Sequence, residues 1–203
     1  IVPDSLEALA NIARNVRGNF KNPVIGITGS CGKTSTKAML EKVLGSDRTH
    51  TTSGNWNNCL GVSMTLAELH EKDYGFSVIE AGVSGQGEMS VLSSIIRPNV
   101  CVFTNIGEAH LEGFGTVDSI AEEKSKLLES AEKGALVVAP KTVLERSVFE
   151  KYREDAVAIV KGSVETISPF KKVYGYEWTR LENHSAKVSL LSLIHISEPT
   201  RPS

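Results

Sequence analysis

The feature that most constrains this chain is a glycine turn between a predicted strand and a predicted helix. The run PVIGIT is short, apolar and rich in β-branched residues, which is typical of a buried strand. It breaks into GSCGKTST, and the following KAMLEKVLG has helical character up to Gly45. Strand, glycine turn and helix in this order open a nucleotide-binding βαβ unit. The sequence therefore predicts an α/β fold that begins with a phosphate-binding loop.

The chemistry of this loop follows from its residue types. Glycines let backbone N–H groups turn toward phosphate oxygens, and the start of the next helix adds partial positive charge. Lys33 can bridge the outer phosphates as a catalytic cation, and the Thr34 hydroxyl can ligate Mg²⁺. The strict P-loop spacing is not met, because Ile27 occupies the first glycine position; a glycine turn with an exposed lysine is the alternative. The residues expected to bind nucleotide are Gly29, Ser30, Cys31, Gly32, Lys33, Thr34 and Ser35.

The rest of the chain alternates short apolar runs with helical patterns. Predicted strands FSVIEAG, NVCVFTNI, GALVVA and AVAIV are separated by helices such as GEMSVLSSII, VDSIAEEKSKLLESA and TVLERSVFEKYRE. After about residue 162 only short strands around VYGYEW and AKVSL are predicted. Nearly continuous apolar strands between helices favour a P-loop-containing, mostly parallel sheet with helices on both faces.

Composition excludes several classes of protein. A formal charge of −2, from 22 basic and 24 acidic residues among 203, gives no basis for nucleic-acid or anionic membrane binding. Three cysteines without a C-x-x-C pair favour a reducing cytosol over a disulfide framework or zinc site. No window is apolar enough to span a bilayer. We therefore expect a cytoplasmic monomer with small-molecule partners and with neither nucleic-acid nor membrane partners.

Three further motifs carry a family resemblance. GNWNNCLGVSMTL, VIEAGVSGQGEM and TNIGEAHLEGFG followed by IAEEK occur in order after the variant loop T-G-x-x-G-K-T-S. Together they resemble the central ATP-binding domain of the Mur ligases, and within that family the branch that adds D-alanyl-D-alanine. The resemblance implies ATP-driven amide synthesis on a UDP-N-acetylmuramoyl tripeptide through an acyl phosphate, with D-alanyl-D-alanine as the amine.

The resemblance also implies roles for individual residues. Glu80, at the end of a predicted strand, matches the family's Mg²⁺-binding glutamate, and His110 matches the histidine that helps to hold a second metal. Lys124 matches a lysine that many Mur ligases carbamylate, which would make it a catalytic residue and an anionic metal ligand. Each has a plainer alternative: an exposed strand-end acid, a structural histidine and a surface lysine.

The asparagines of the GNWNN turn are the candidate substrate contacts. Asn55, Asn57 and Asn58 could present amides to phosphate or to the substrate carboxylate. Asparagines also favour turns for local reasons, so a purely structural role is the alternative.

The chain has the expected organisation of a fragment. Residues 1–22 are predicted to be the end of an N-terminal domain with its exit helix, and residues 23–190 a truncated central domain. Residues 191–203 resemble the translation of a sequencing adaptor, in which case His195 has no chemical role; a natural, loosely structured tail is the alternative. Without partner domains, such a fragment is expected to be inactive alone.

Two other functions stay open on the sequence. One is an ATP-dependent ligase of the same superfamily that adds a different amino acid, or glutamate as in folylpolyglutamate synthetases. The other is a nucleotide-binding, non-catalytic Mur-like module. Retention of Glu80, His110 and Lys124 favours an enzyme, because a nucleotide holder needs no second metal ligand.

Overall fold

Seven strands form one sheet in the computed structural model, which describes residues 2–70, 72–109, 111–160 and 163–166. The strands are β1 Val24–Thr28, β2 Thr49–Thr51, β3 Phe76–Glu80, β4 Val100–Phe103, β5 Leu136–Pro140, β6 Ala156–Val160 and β7 Ser163–Thr166. Their order across the sheet is β2-β3-β1-β4-β5-β6-β7. All neighbours are parallel except β6 and β7. The mostly parallel sheet predicted from the sequence is confirmed.

Helices connect the strands and cover both faces. They are α1 Ser5–Asn19, α2 Lys33–Leu44, α3 Cys59–Ala67, α4 Glu88–Ile96, α5 Leu111–Phe114, α6 Val117–Ser125 and α7 Lys141–Leu144. Short 3-10 segments follow at Glu68–His70, Lys126–Leu128 and Ser147–Asp155. Each β-strand–helix–parallel β-strand connection takes the crossover form that parallel pairing requires.

The two faces of the sheet are packed by different helices. On one face α2 lies over β1, β2 and β3, above a small cluster of Ile25, Ile27 and Val78. On the other face α1, α3, α4 and α6 pack on one another and form the main core. Phe103 and Phe149 meet there edge to face, with ring centroids 4.9 Å apart.

Helix α1 is built into this core by one buried cation. Asp4 caps the helix by accepting from the N–H groups of Leu6 and Glu7. Near its end, the Arg17 guanidinium donates to Ile96 O at 2.8 Å and to Asn99 Oδ1 at 3.1 Å. α1 therefore packs directly against α3 and α4; the assignment of residues 1–22 to a preceding domain stays a prediction.

The structure differs from the sequence-based prediction at three places. The three-residue edge strand β2 and the antiparallel β7 were not predicted, since neither has a run of apolar residues. The predicted helix TVLERSVFEKYRE is wrong beyond its first turn. Arg146 is extended there, and the Arg153 guanidinium donates to Leu144 O and Glu145 O, which a continuing helix would use itself.

Several predictions lie where the structure has no description. The strands predicted around VYGYEW and AKVSL, and residues 191–203, fall outside the described residues. Within the described part of the chain, none of the helices is long and apolar enough to cross a bilayer.

The parallel arrangement brings the ends of three central strands to one edge. Ile27 of β1 is in register with Glu80 of β3, and Thr28 with Phe103 of β4. The loops that leave β1, β3 and β4 are therefore neighbours at the carboxyl edge, where open α/β sheets bind ligands.

Candidate functional site

The glycine turn after β1 leads directly into α2. Gly29 has φ 151° and Gly32 has φ 79°, conformations that side-chain-bearing residues rarely adopt. Gly32 is the N-cap of α2, and within the described residues no side chain caps this helix. The first N–H groups of α2, from Lys33 onward, are thus left available to an anion at the positive end of the helix.

The loop after β4 holds the glycine turn in place. Asn105 accepts at its backbone O from Ser30 N at 3.1 Å and at Oδ1 from Cys31 N at 2.8 Å. The Ser30 hydroxyl donates to Gly107 O at 3.0 Å and accepts from Gly107 N at 2.9 Å. Thr104 donates from its hydroxyl to Cys31 O. The conformation of the turn is therefore set by residues more than 70 positions away in the sequence.

Lys33 lies over the loop. Its Nζ donates to Gly29 O at 2.9 Å, so the ammonium sits across the mouth of the turn. A flexible lysine in this position can exchange one carbonyl contact for a phosphate oxygen.

Glu80 contacts the start of α2 through its carboxylate. Its side chain is almost fully buried at the end of β3 and accepts from the Thr34 hydroxyl at 3.0 and 3.2 Å. Asn57 Nδ2 donates to the same carboxylate at 2.9 Å, and Lys37 Nζ lies 3.5 Å from it. These partners hold the buried carboxylate in one orientation.

The three asparagines of the turn differ in their contacts with the Glu80 carboxylate. Asn57 points inward to Glu80, and its backbone O accepts from Gly82 N at 2.9 Å. Asn58 caps α3 by accepting from Gly61 N at 2.9 Å. Asn55 and Trp56 are exposed. The three asparagines therefore have different local roles, one at the carboxylate, one at a helix cap and one facing solvent.

Lys124 lies buried on α6 and is 1% exposed. Burial and the charge of nearby Lys33 lower the pKa of Lys124 to about 8, against an opposing effect of Glu123. Two lysines from different helices thus converge near the phosphate loop. This is an environment that favours an anion between them, or a modification that removes one positive charge.

Comparison with known proteins decides the family. The sequence profile of the family described as "Mur ligase middle domain" matches residues 27–198. This chain belongs to the Mur ligase family. The phosphate loop, Glu80 and the asparagine turn all lie inside the matched region of this Mur ligase domain.

Relatives and solved structures agree with this assignment. The UDP-N-acetylmuramoyl-tripeptide–D-alanyl-D-alanine ligase of Bacillus subtilis (strain 168) is 37% identical over 139 residues, covering 68% of this chain and 30% of the relative. MurF from Acinetobacter baumannii superposes with a TM-score of 0.74 at 35% identity, over 80% of this chain and 36% of that one. MurF from Thermotoga maritima in complex with ADP gives 0.72 at 33% identity, over 81% and 38%.

The Mur ligase domain described here spans about 30% of the length of the curated relative from Bacillus subtilis. The two MurF structures are likewise matched over little more than a third of their length.

The structure brings most of the predicted site residues of this Mur ligase together. Lys33, Thr34 and Glu80 surround the start of α2, Asn57 contacts Glu80, and Lys124 lies near Lys33. His110 lies outside the described residues. Their functional roles stay predictions.

Four residues that contribute to the site were not singled out from the sequence. Lys37 lies beside Glu80, Thr52 accepts from Glu80 N at 2.9 Å through its hydroxyl, and Thr104 and Asn105 hold the glycine turn. Asn105 and Thr104 could have been suspected, because they directly follow a predicted strand at the edge where the loop lies. No sequence signal distinguishes Lys37 from the other lysines of α2.

The donor set around Glu80 suits a hard divalent cation. The Thr34 hydroxyl and the Glu80 carboxylate are oxygen donors already in contact, as Mg²⁺ requires of a site shared with phosphate oxygens. Among the described residues there is no cluster of three or more histidine, cysteine or acidic side chains that could hold a metal alone.

Proposed function

We propose that this domain binds the phosphates of ATP with Mg²⁺, within a ligase that joins D-alanyl-D-alanine to a UDP-N-acetylmuramoyl tripeptide. One observation carries the proposal: the Thr34 hydroxyl, at the uncapped start of α2, contacts the buried Glu80 carboxylate at 3.0 Å. The relatives named as this ligase, and the MurF structure that contains ADP, support it.

The residues of the domain have distinct tasks in this proposal. The N–H groups at the start of α2 and the Lys33 ammonium bind and orient the outer phosphates, while Asn105 keeps the glycine turn open. Thr34 and Glu80 would hold Mg²⁺, which neutralises charge on the transferred phosphoryl group. Asn57, and to a lesser degree Asn55 and Asn58, would contact the muramoyl substrate, and His110 would assist a second metal.

The proposed reaction consists of two successive substitutions. A carboxylate oxygen of the tripeptide attacks the γ-phosphorus of ATP, and ADP leaves, giving an acyl phosphate. The amine of D-alanyl-D-alanine then attacks the acyl carbon, the C–O bond to phosphate breaks, and inorganic phosphate leaves. The chain's contribution is to screen charge on both anionic reactants as they approach.

Lys124 fits this scheme as a carbamate. Its neutral amine would add to CO₂ with loss of a proton, which converts a buried cation beside Lys33 into an anion. The lowered pKa of Lys124 supports this proposal, because only the unprotonated amine reacts.

The cytoplasm is the compartment where we place the protein, since ATP and UDP-linked precursors are its proposed substrates. The three cysteines are free thiols, which is compatible with a reducing compartment. We propose that the domain is a monomer.

Nucleotide binding is the first test. Calorimetric titration of the chain with ADP or ATP, with and without Mg²⁺, is expected to show binding that Lys33→Ala weakens at least about tenfold. Lys42→Ala, an exposed lysine of the same helix, is the matched control and should bind as the parent does. Equal binding by Lys33→Ala and the parent would contradict the proposal.

Substrate identity is the second test, made on the chain joined to the flanking domains from its own reading frame. Phosphate release that requires both the UDP-muramoyl tripeptide and D-alanyl-D-alanine supports the assignment. Release with another amino acid, or with a folate and glutamate, would identify a different ligase of the superfamily. Nucleotide binding without phosphate release under any of these conditions would indicate a non-catalytic module.

A further inference from the structure

Lys37 is a buried cation that no part of the proposed chemistry uses. Its side chain is 5% exposed on α2, and its Nζ donates to Thr52 O at 2.7 Å and to Gly54 O at 2.6 Å. The third neighbour is Glu80 Oε2 at 3.5 Å. The ammonium therefore makes two hydrogen bonds to carbonyls and one ion pair with a carboxylate. A lysine paired in this way in the interior is specifically placed, because an unpaired buried charge is strongly unfavourable.

The position of Lys37 on α2 links it to the phosphate loop. Lys37 lies four residues after Lys33 and three after Thr34, so the three side chains share one face of the helix. Thr34 and Lys37 both reach Glu80 from this face. The helix that begins at the phosphate loop therefore holds the carboxylate at two successive turns.

The segment that Lys37 holds leads into the asparagine turn. Regular pairing of β2 with β3 ends at Thr51, so residues 52–54 are beyond the ladder. Thr52 still donates its N–H to Val78 O at 3.2 Å, whereas Gly54 has φ 50° and open space where a Cβ would lie. At the far end of the turn, Asn57 is attached to Glu80 and Gly82. Lys37 supplies the attachment at the near end.

We infer that Lys37 is a positioning residue, whose ammonium anchors the Thr52 and Gly54 carbonyls to α2 and so keeps the asparagine turn aligned with Glu80 and the phosphate loop. Lys37 acts through the turn and touches neither substrate nor reacting atoms. This inference rests on the proposed function only for what the turn contacts; the anchoring itself is a property of the folded chain.

Trp56 provides a direct readout of the turn. It lies between Asn55 and Asn57 with its side chain 50% exposed, and the chain's other tryptophan is Trp178. In a Trp178→Phe background, the fluorescence of Trp56 and its quenching by acrylamide report the turn alone. Lys37→Met removes the ammonium with little change in length, so we expect the quenching constant to rise about twofold as the turn loosens.

The substrate arm uses a UDP-N-acetylmuramoyl tripeptide as the probe. Calorimetry is expected to show that Lys37→Met weakens tripeptide binding by about tenfold, more than it weakens ADP binding. Lys37→Arg, which keeps charge and donors, should recover part of both effects, and Lys37→Gln, which keeps donors alone, should recover less. The exposed Lys42→Met is the matched control on the same helix.

A second control separates positioning from stability. Val157→Ala removes buried volume on β6, at the other side of the sheet from β2, and lowers thermal stability without touching the turn. If Lys37→Met and Val157→Ala change Trp56 quenching and tripeptide affinity equally, Lys37 only stabilises the fold and the inference is wrong. If Lys37→Met does not fold, the Arg and Gln variants carry the same comparison. Absence of ADP binding by the parent chain would instead refute the proposed nucleotide site, and the Trp56 comparison would still decide the anchoring.

Discussion

Asn57 donates from Nδ2 to Glu80 Oε1 over 2.9 Å and thereby joins the asparagine turn to the carboxylate at the end of β3. The same carboxylate accepts from Thr34 at the start of α2. Three elements thus meet at the Glu80 side chain: the phosphate loop, the asparagine turn and the end of β3. The residues that make these contacts lie more than 20 positions from Glu80 in the sequence. This relationship makes the asparagine turn part of the proposed metal site.

Asn57→Ala tests that relationship. Loss of a hydrogen bond to a buried carboxylate is expected to weaken Mg²⁺-dependent ATP binding by about five- to tenfold, since Glu80 loses its orientation. Titration calorimetry with Mg²⁺ and with EDTA measures the Mg²⁺-dependent part. Asn55→Ala, at an exposed position two residues earlier, is the control and should retain it. An unchanged Mg²⁺ effect in Asn57→Ala would show that the contact has no part in the site.

Gly29→Ala tests the close approach of the two loops. A Cβ at Gly29 would collide with the Thr104 hydroxyl and lie 3.1 Å from the backbone N and O of Asn105, at a φ of 151°. We expect a loss of about 2–4 kcal/mol in the free energy of unfolding, together with loss of nucleotide binding. Gly134→Ala has a similarly unfavourable φ of 80° but open space, so it should cost only about 1 kcal/mol and leave binding intact. Denaturant titration measures both, and equal losses would argue against the packing explanation.

Lys124 is predicted to make stability depend on pH in the alkaline range. Its folded pKa of about 8 lies below the ordinary value of 10.5, so the unfolded chain binds the extra proton between these values. The contribution of Lys124 to the free energy of unfolding therefore rises as pH increases from about 8 to 10.5. In the unmodified protein, Lys124→Met should be more stable than the parent at pH 7 by about 1–3 kcal/mol, with a difference that shrinks by pH 10. Thermal unfolding across this range measures it, and a difference independent of pH would contradict the prediction.

Carbamylation of Lys124 has its own measurement. Carbon-13 spectroscopy under labelled bicarbonate is expected to show one carbamate signal that disappears in Lys124→Met. Lys126 is the internal control, because its hydrogen bond to Glu123 raises the pKa of Lys126 and keeps it protonated. A carbamate signal that disappears in Lys126→Met and persists in Lys124→Met would place the modification on Lys126 and contradict the proposal.

Glu123 is predicted to stabilise the fold in a way that acid removes. Burial opposes its charge, but hydrogen bonds from Lys126, Gly87 N and Met89 N lower the pKa of Glu123 overall. Because the pKa of Glu123 is lower in the folded protein, its charge stabilises the fold at pH values above the unfolded pKa of 4.5. This stabilisation is lost as the pH falls through the pKa of the folded state.

The matching experiment is thermal unfolding of Glu123→Gln. The variant should be less stable than the parent by about 1–3 kcal/mol at pH 7, and the difference should disappear toward pH 3, where the parent side chain is also neutral. Glu122→Gln, exposed on the same helix, should match the parent at both pH values. A difference that persists at pH 3 would place the effect in packing rather than in charge.

The amino-acid sequence by itself determined five of the strands (β1, β3, β4, β5 and β6), the phosphate loop and the family. These features are local: apolar runs form buried strands, and the glycine spacing before GKTS requires backbone conformations that only glycine adopts readily. Glu80 was found from the sequence for the same reason, because the last residue of a parallel strand must lie at the carboxyl edge.

Only the tertiary structure decided which polar side chains meet. The three-residue strand β2 has no apolar run and exists through pairing with β3, and the helix predicted after β5 ends early because Arg153 occupies its last carbonyls. Lys37 is one lysine among several on α2 until the chain brings Thr52, Gly54 and Glu80 around it. Long-range hydrogen bonds of buried groups depend on packing that no local pattern encodes, which is why this part of the site appears only in the folded molecule.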